Sequence, residues 1–430
     1  MSLLENSRVL FNGKKSFRHL KVIAHQIKNR MAGTSGDRRT ISYIDRTFKD
    51  LGFKVRRERF NVVTYLPKDA RIITARKRLE IEGSPVGLTR SSSGQGIKGK
   101  LFYANVGSPE YFTDEVKNKI IVMAATGLGY EKFKVLADYR PRAVILIETI
   151  PDREPHRVEL MPEWKKRNFP IVRVRYEDGL KLIGEDGKSA VVICNCLEKR
   201  TSSYNVITEL KGNTFPDEII VIGAHHDSSW EGPGAADNAG GVAVVLELAR
   251  IFRKIGSKRT LRFITWGAEE FGLKGSIAHV RRLRKRKKEI DKIKIVINID
   301  VQGGLIGRNE AYIIGPADLT SSVRLLAKEQ GPAFEVRENI YSSDGMSFSS
   351  VGIPSVSFSR WGGSTSYLHT TRDSIDHLSE EALAIQGKFI ETWLRRYIVE
   401  AYVFPFEKNI PDKIKKNIAD YFDKRLGVKI

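Results

Sequence analysis

Apolar residues near the amino end recur at helical intervals. Phe17, Leu20, Ile23, Ile27 and Met31 predict one helix ending at Gly33, and Ile41, Ile44 and Phe48 a second ending at Gly52. Residues 53–63 read as a strand whose charge suits an edge or half-buried place. From about Thr64 to Arg200 the pattern shifts to short apolar runs with many breaks. Strands are predicted at 101–105, 119–123, 143–147, 171–174 and 190–196, with a helix near 130–138. After Ser203 strands at 204–209, 219–223, 260–266, 293–299, 311–314 and 354–358 alternate with helices at 239–255, 275–288, 319–329 and 380–402. Strands as uniformly apolar as 219–223 need cover on both faces. The fold class predicted is therefore α/β, with a mostly parallel mixed sheet flanked by helices. Three parts follow: a discontinuous α/β domain (1–63 and 202–403), a β-rich insert (64–201) and an amphipathic helical tail (404–430) with Ile414, Ile418, Tyr421 and Phe422 inward.

Composition narrows the classes. In 430 residues, 41% apolar and 29% charged, there is enough core for more than one globular domain and no sign of disorder. No run approaches the roughly 18 apolar residues of a membrane span. Glu5 and Arg8 interrupt the opening where a secretory signal needs an apolar stretch, which argues against export and for a cytoplasmic protein. Cys194 and Cys196 are the only cysteines, so neither a disulfide scaffold nor a cysteine zinc cage is available; their spacing puts both on one packed strand face.

The charge, 73 − 51 = +22, raises nucleic acid as a partner. The densest block, 281–288, has seven basic residues in eight and reads as the solvated face of a helix. No zinc finger, basic zipper or aromatic RNA-binding pattern accompanies it, so nucleic acid stays a minor reading. Oligomeric state is left open, self-association included.

The informative polar residues stand where apolar strands end. Residues 219–223 run into His225-His-Asp227, and Asp237-Asn238 follows before a glycine-rich helix start. Strand 260–266 runs into Glu269-Glu270, strand 293–299 into Asp300, and His369 follows a Gly-Gly-Ser turn. Carboxyl ends of strands in an open α/β sheet meet at one crevice, so these groups can converge. Two histidines among several carboxylates suit zinc or a similar divalent ion. Singly, each is as well explained as a helix cap, a surface pair or a hydrogen-bonded histidine. The ordered set is not.

The segments GAHHD (223–227), PGAADNAGG (233–241), GAEEFGLKGS (267–276), NIDVQG (298–303) and HTTRD (369–373) resemble the co-catalytic zinc aminopeptidase family, which also holds glutamate carboxypeptidase-like enzymes and glutaminyl cyclases. The insert is similar, more loosely, to a protease-associated domain, which would cover part of the cleft. The resemblance implies two zinc ions, with Co²⁺ able to substitute. His225 and Asp300 would hold one ion, Glu270 and His369 the other, and Asp237 would bridge them. Asp227 would orient His225, and the peptide after Asp237 would be cis. Four positive charges against Asp237, Asp300 and Glu270 leave one for a bridging hydroxide, and the spare carboxylate, Glu269, would be the general base.

Two places depart from the family pattern. Leu368 stands where many members have an oxyanion-binding tyrosine, and whether Tyr367 reaches instead is open. Ser343-Asp344-Gly345 lacks the family's histidine, leaving Asp344 either a helix cap or a pocket-shaping residue. The implied activity is a metal-dependent exopeptidase, foremost an aminopeptidase acting on short peptides. A carboxypeptidase or dipeptidase would need a cation for the substrate carboxylate, and Arg360 is the candidate. An inert scaffold with a basic nucleic-acid-binding helix is the non-enzymatic alternative, and the complete ligand set argues against it. No phosphate loop or G-x-S-x-G elbow appears.

Overall fold

Asn12 opens the first helix by accepting the Lys15 N–H; Gly13–Leu20 follows, continued in wider turns over Lys21–Ile27. The computed structural model describes residues 10–167 and 169–430, so the opening on which the export argument rests lies outside the described residues. The helix closes at Lys28 (φ 62°), short of the Gly33 predicted. The cause is tertiary: Arg30 turns inward, donating to His226 O at 2.9 Å and Gly234 O at 2.9 Å. A second helix, Ser35–Asp50, is capped by Thr34 and buries Ile41, Ile44 and Phe48 as their spacing predicts.

Strands are numbered along the chain: β1 (Val55–Thr74), β2 (Glu80–Pro85), β3 (Ile97–Tyr103), β4 (Ile120–Ala124), β5 (Ala143–Ile147), β6 (Ile171–Val174), β7 (Ser189–Leu210), β8 (Phe215–His225), β9 (Arg259–Trp266), β10 (Ile293–Ile299), β11 (Arg308–Ile314), β12 (Phe334–Glu338) and β13 (Ser355–Trp361). The chain forms two units, one built on residues up to Val62 with Ser202–Ala419, the other on Val63–Thr201 with Asp420–Lys429.

In the first unit the strand order is β7-β9-β8-β10-β13-β11-β12. β9–β8, β8–β10, β10–β13 and β11–β12 are parallel, while β7–β9 and β13–β11 are antiparallel. This is the mostly parallel mixed α/β sheet expected. Alternation along β8 sorts the core: Ile220 and Ile222 join Val244, Leu248 and Phe389 on one face, Ile219 and Val221 join Val280, Leu283 and Phe348 on the other. Each such side chain stabilises by about 1.5–3 kcal/mol when fully buried. With both faces covered, polar chemistry is left to the strand ends.

The basic block does not form one helix. Lys274–Arg284 ends inside it, Arg286 is non-helical (φ −124°, ψ 60°), and Lys287–Lys292 starts anew. Like charges in successive turns oppose continuation. Arg282 instead reaches Glu58 Oε1 at 3.0 Å.

In the second unit the order is β1-β2-β6-β5-β4-β3-β7, with β6, β5, β4 and β3 mutually parallel. Its core holds Ile72, Ile81, Leu101, Val122, Ile145, Val172 and Cys194. Both cysteines are buried and free. The predicted tail helix, Asp412–Asp420, falls in the first unit up to Ala419; the wider turns over Tyr421–Leu426 belong to the second, where Trp164 Nε1 donates to Leu426 O at 2.9 Å. Ile414, Ile418 and Phe422 are buried, Tyr421 half so. Among the described residues no helix is long and apolar enough to cross a membrane.

Candidate active site

Three adjacent parallel strands, β9, β8 and β10, deliver their carboxyl ends side by side. His225 is the last residue of β8, Asp300 follows β10 directly, and Glu269-Glu270 lie in the turn after β9. Asp237 comes from the link between β8 and the helix Gly241–Ile255. There the backbone leaves helical geometry at Asp237 (φ −117°, ψ 90°), and the Asp237–Asn238 peptide is cis. His369 sits at φ 58° in the loop after β13.

Two donor groups share one carboxylate. Asp237 Oδ1 lies 2.9 Å from His225 Nε2, which is 3.3 Å from Asp300 Oδ1. Asp237 Oδ2 lies 3.3 Å from His369 Nε2, which is 3.0 Å from Glu270 Oε2. In each trio, His225–Asp237–Asp300 and Asp237–Glu270–His369, the ligating atoms fall within 4.8 Å of one another. Glu270 Oε1 and Asp300 Oδ1 are buried without a hydrogen-bond partner, a costly condition unless a cation is expected. Imidazole nitrogens and carboxylate oxygens in two such groups fit zinc.

The supporting bonds explain how the set is held. Asp373 accepts the N–H groups of Ala236 at 2.9 Å and Asp237 at 3.1 Å. From the other side Asn238 donates to Ile299 O at 2.9 Å, tying the Asp237 turn to the strand that ends in Asp300. Asp227 approaches His225 Nδ1 only to 3.6 Å, beyond a hydrogen bond. Its hydrogen bonds are with the Glu269 N–H (3.0 Å) and Glu270 N–H (3.2 Å). Beneath lies Arg30, fully buried; burial brings its pKa down to about 10, while Asp373, Asp227 and Asp237 favour its charge.

So many carboxylates in one buried space repel one another. Burial raises Glu269 well above the ordinary carboxylate range; His225 opposes this, and Asp344, Asp300 and Glu270 add to it. Burial also pushes Asp344 up to about 8, with His225 opposing and Asp227 and Asp300 adding. Burial works against charging His225 and His369, yet the neighbouring carboxylates prevail and raise both well above the usual value. The cluster calls for added positive charge.

The remaining sequence candidates fall differently. Asp344 belongs with Glu269 in the buried cluster. Tyr367 packs its ring against His377 at 5.1 Å and under Arg372 at 3.9 Å. The Arg360 guanidinium is taken up by Gly304 O (2.7 Å) and Asn309 Oδ1 (2.6 Å), so it is a structural tie and not a free anchor. Arg30 and Tyr341 carry no sequence signal of a place near the site. Asp373 closes the HTTRD segment, but its bonds to backbone N–H groups, like those of Arg30 to backbone carbonyls, are not visible in the motif. Tyr341 follows no strand end that pattern reading could mark; its ring lies 4.8 Å from Tyr312 and 6.5 Å from Trp361. Burial raises its hydroxyl well above the usual tyrosine value, and Asp300, Asp237 and Glu269 reinforce the shift.

Residues 205–394 match the model of peptidase family M28. The chain is similar to aminopeptidase YwaD of Bacillus subtilis, 27% identical over 424 residues, covering 96% of this chain and 90% of that protein. An aminopeptidase of Pseudomonas aeruginosa is 25% identical over 417 residues, covering 85% and 77% respectively. Among solved structures, the zinc aminopeptidase BSAP from Bacillus subtilis matches with a TM-score of 0.77 at 26% identity, covering 95% of this chain and 100% of that one. A family M28 peptidase precursor from Shewanella amazonensis shares the fold at 21% identity and a TM-score of 0.78, over 93% and 96%.

Proposed function

We propose, for a chain that belongs to peptidase family M28 and is a zinc-dependent aminopeptidase, a two-ion reaction with Glu269 as general base. One observation carries the ion count: the two oxygens of Asp237 face different donor groups, Oδ1 towards His225 and Oδ2 towards His369. His225 and Asp300 would hold one ion and Glu270 and His369 the other, with Asp237 shared. Co²⁺ accepts the same nitrogen and oxygen donors. When bound, zinc polarises the substrate carbonyl and lowers the pKa of water towards about 7.

The chain's own groups do the rest. Glu269, spared from ligation and held above the ordinary carboxylate range by burial, takes a proton from the attacking water and delivers it to the leaving nitrogen. Asp227 keeps that carboxylate aimed through the Glu269 N–H. Tyr341 is the donor for the carbonyl oxygen as it gains charge, a role for which the sequence left Tyr367 open. Tyr341→Phe should lower kcat by about a hundredfold, while Tyr367→Phe stays within about twofold. Equal effects of the two would remove this assignment.

Surplus carboxylates, Glu269 and Asp344, favour a substrate with a free α-amino group, and short peptides are the proposed substrates. With the Arg360 guanidinium already bonded, no cation is assigned to a substrate carboxylate. The β-rich second unit we read as a protease-associated domain, and the buried free thiols favour a cytoplasmic setting. A matched pair of short peptides, one amino-acetylated and one carboxy-amidated, separates the readings by mass spectrometry. The amidated peptide should lose its first residue and the acetylated one should stay intact. Release of the last residue from the acetylated peptide would overturn the proposal in favour of a carboxypeptidase.

A further inference from the structure

The second unit holds a cavity of 850 Å³ that the hydrolytic site does not use. Arg90, Arg140 and Arg142 line it, together with Asn118, Asp138 and Phe169. All three arginines are exposed, and no hydrogen bond or ion pair of their guanidinium groups is found among the described residues. Elsewhere in this unit arginines do find carboxylates: Arg153 and Arg173 meet Glu148 at 2.5 and 3.1 Å, and Arg71 meets Glu80 at 2.9 Å. Asp138, the one acidic group among the described lining residues, already has a partner. Three planar donors without a described partner therefore line one concavity.

We propose that this groove binds an acidic peptide segment, its side-chain carboxylates received by Arg90, Arg140 and Arg142. A guanidinium meets a carboxylate through two parallel N–H donors, which gives orientation as well as attraction. The volume lies within the roughly 300–1,000 Å³ typical of sites that enclose a ligand. A nucleic-acid duplex does not enter such a concavity. A single strand would want aromatic faces to stack on, and the lining aromatic, Phe169, is buried. The exposed Asn118 offers an amide to a peptide backbone. This inference does not rest on the peptidase reading, because none of its residues belongs to the metal cluster.

Fluorescence anisotropy on the full chain tests it, with amino-acetylated octaglutamate as probe so that the aminopeptidase site does not consume it. Octalysine and an eight-nucleotide single-stranded DNA serve as comparisons. Octaglutamate should bind, weaken as salt rises from about 50 to 500 mM, and lose at least about tenfold in affinity in the R90A/R140A/R142A variant. Octalysine should not bind. Hydrolysis of leucine p-nitroanilide by the same variant should match the parent, which verifies its fold. Should the triple variant not fold, Arg90→Gln, Arg140→Gln and Arg142→Gln measured singly should each weaken the probe by about two- to fivefold. Unchanged affinity in the variants, absence of octaglutamate binding, or DNA binding with the same arginine dependence would each overturn the proposal.

Discussion

Removing divalent metal should take peptide hydrolysis below detection, and Zn²⁺ or Co²⁺ should restore it. The size of the effect follows from the site's electrostatics. Asp237, Asp300, Glu269, Glu270 and Asp344 share one buried space, and Glu270 Oε1 and Asp300 Oδ1 have no hydrogen-bond partner there. Without cations, the carbonyl has no Lewis acid, and water keeps a pKa near 15.7 instead of about 7, so the loss spans several orders of magnitude. Stability should fall as well, because an ion that binds only the folded chain contributes about 2.7 kcal/mol at a hundred times its Kd. Elemental analysis should find close to two ions per chain. Full activity in a preparation verified free of metal would sink the mechanism, and a single tightly held ion supporting full turnover would remove the shared role of Asp237.

Glu269→Gln should lower kcat by about a hundredfold or more while metal content stays near two per chain, the scale of lost general-base catalysis. Glu270→Gln should act in the opposite sense, weakening metal retention because it removes a ligand charge 3.0 Å from His369 Nε2. These residues are neighbours in sequence, and their N–H groups are gripped by the same Asp227 at 3.0 and 3.2 Å. A merely structural role would therefore affect both variants alike. Kinetics paired with metal analysis separates them: equal loss of metal and equal residual turnover would contradict the division of labour. The raised pKa of Glu269 adds a check on the pH profile. An acidic limb governed by that carboxylate should disappear in the glutamine variant.

Legibility in the sequence followed the kind of force at work. Helix and strand placement in the first unit was readable because apolar periodicity reports burial directly, as Ile41, Ile44 and Phe48 do on one helix face. It failed where a distant partner decided the outcome. The first helix stops at Lys28 because Arg30 is drawn to His226 and Gly234, nearly two hundred residues away. The basic block breaks at Arg286, and the strands Glu80–Pro85 and Phe334–Glu338 were missed because short polar segments pair through their backbones.

The sequence by itself showed which polar residues stand at the carboxyl edge of the sheet and in what order, since each of His225, Asp300 and the Glu269-Glu270 pair closes an apolar strand whose parallel neighbours must end together; their reading as metal ligands came from the family resemblance. Only the tertiary structure decided what holds and surrounds them. Asp373 and Asp227 act by accepting backbone N–H groups, contacts that leave no residue pattern because any residue can donate them. Tyr341 feels the charge of Asp300, Asp237 and Glu269 while Tyr367 packs against His377, because loop conformation, not sequence distance from His369, sets where a phenol lies. Arg360, a candidate carboxylate anchor or paired residue by pattern, is bonded to Gly304 and Asn309 once the chain folds around it. Burial and backbone bonding are properties of the folded whole, and these made the difference between a list of candidate residues and a convergent site.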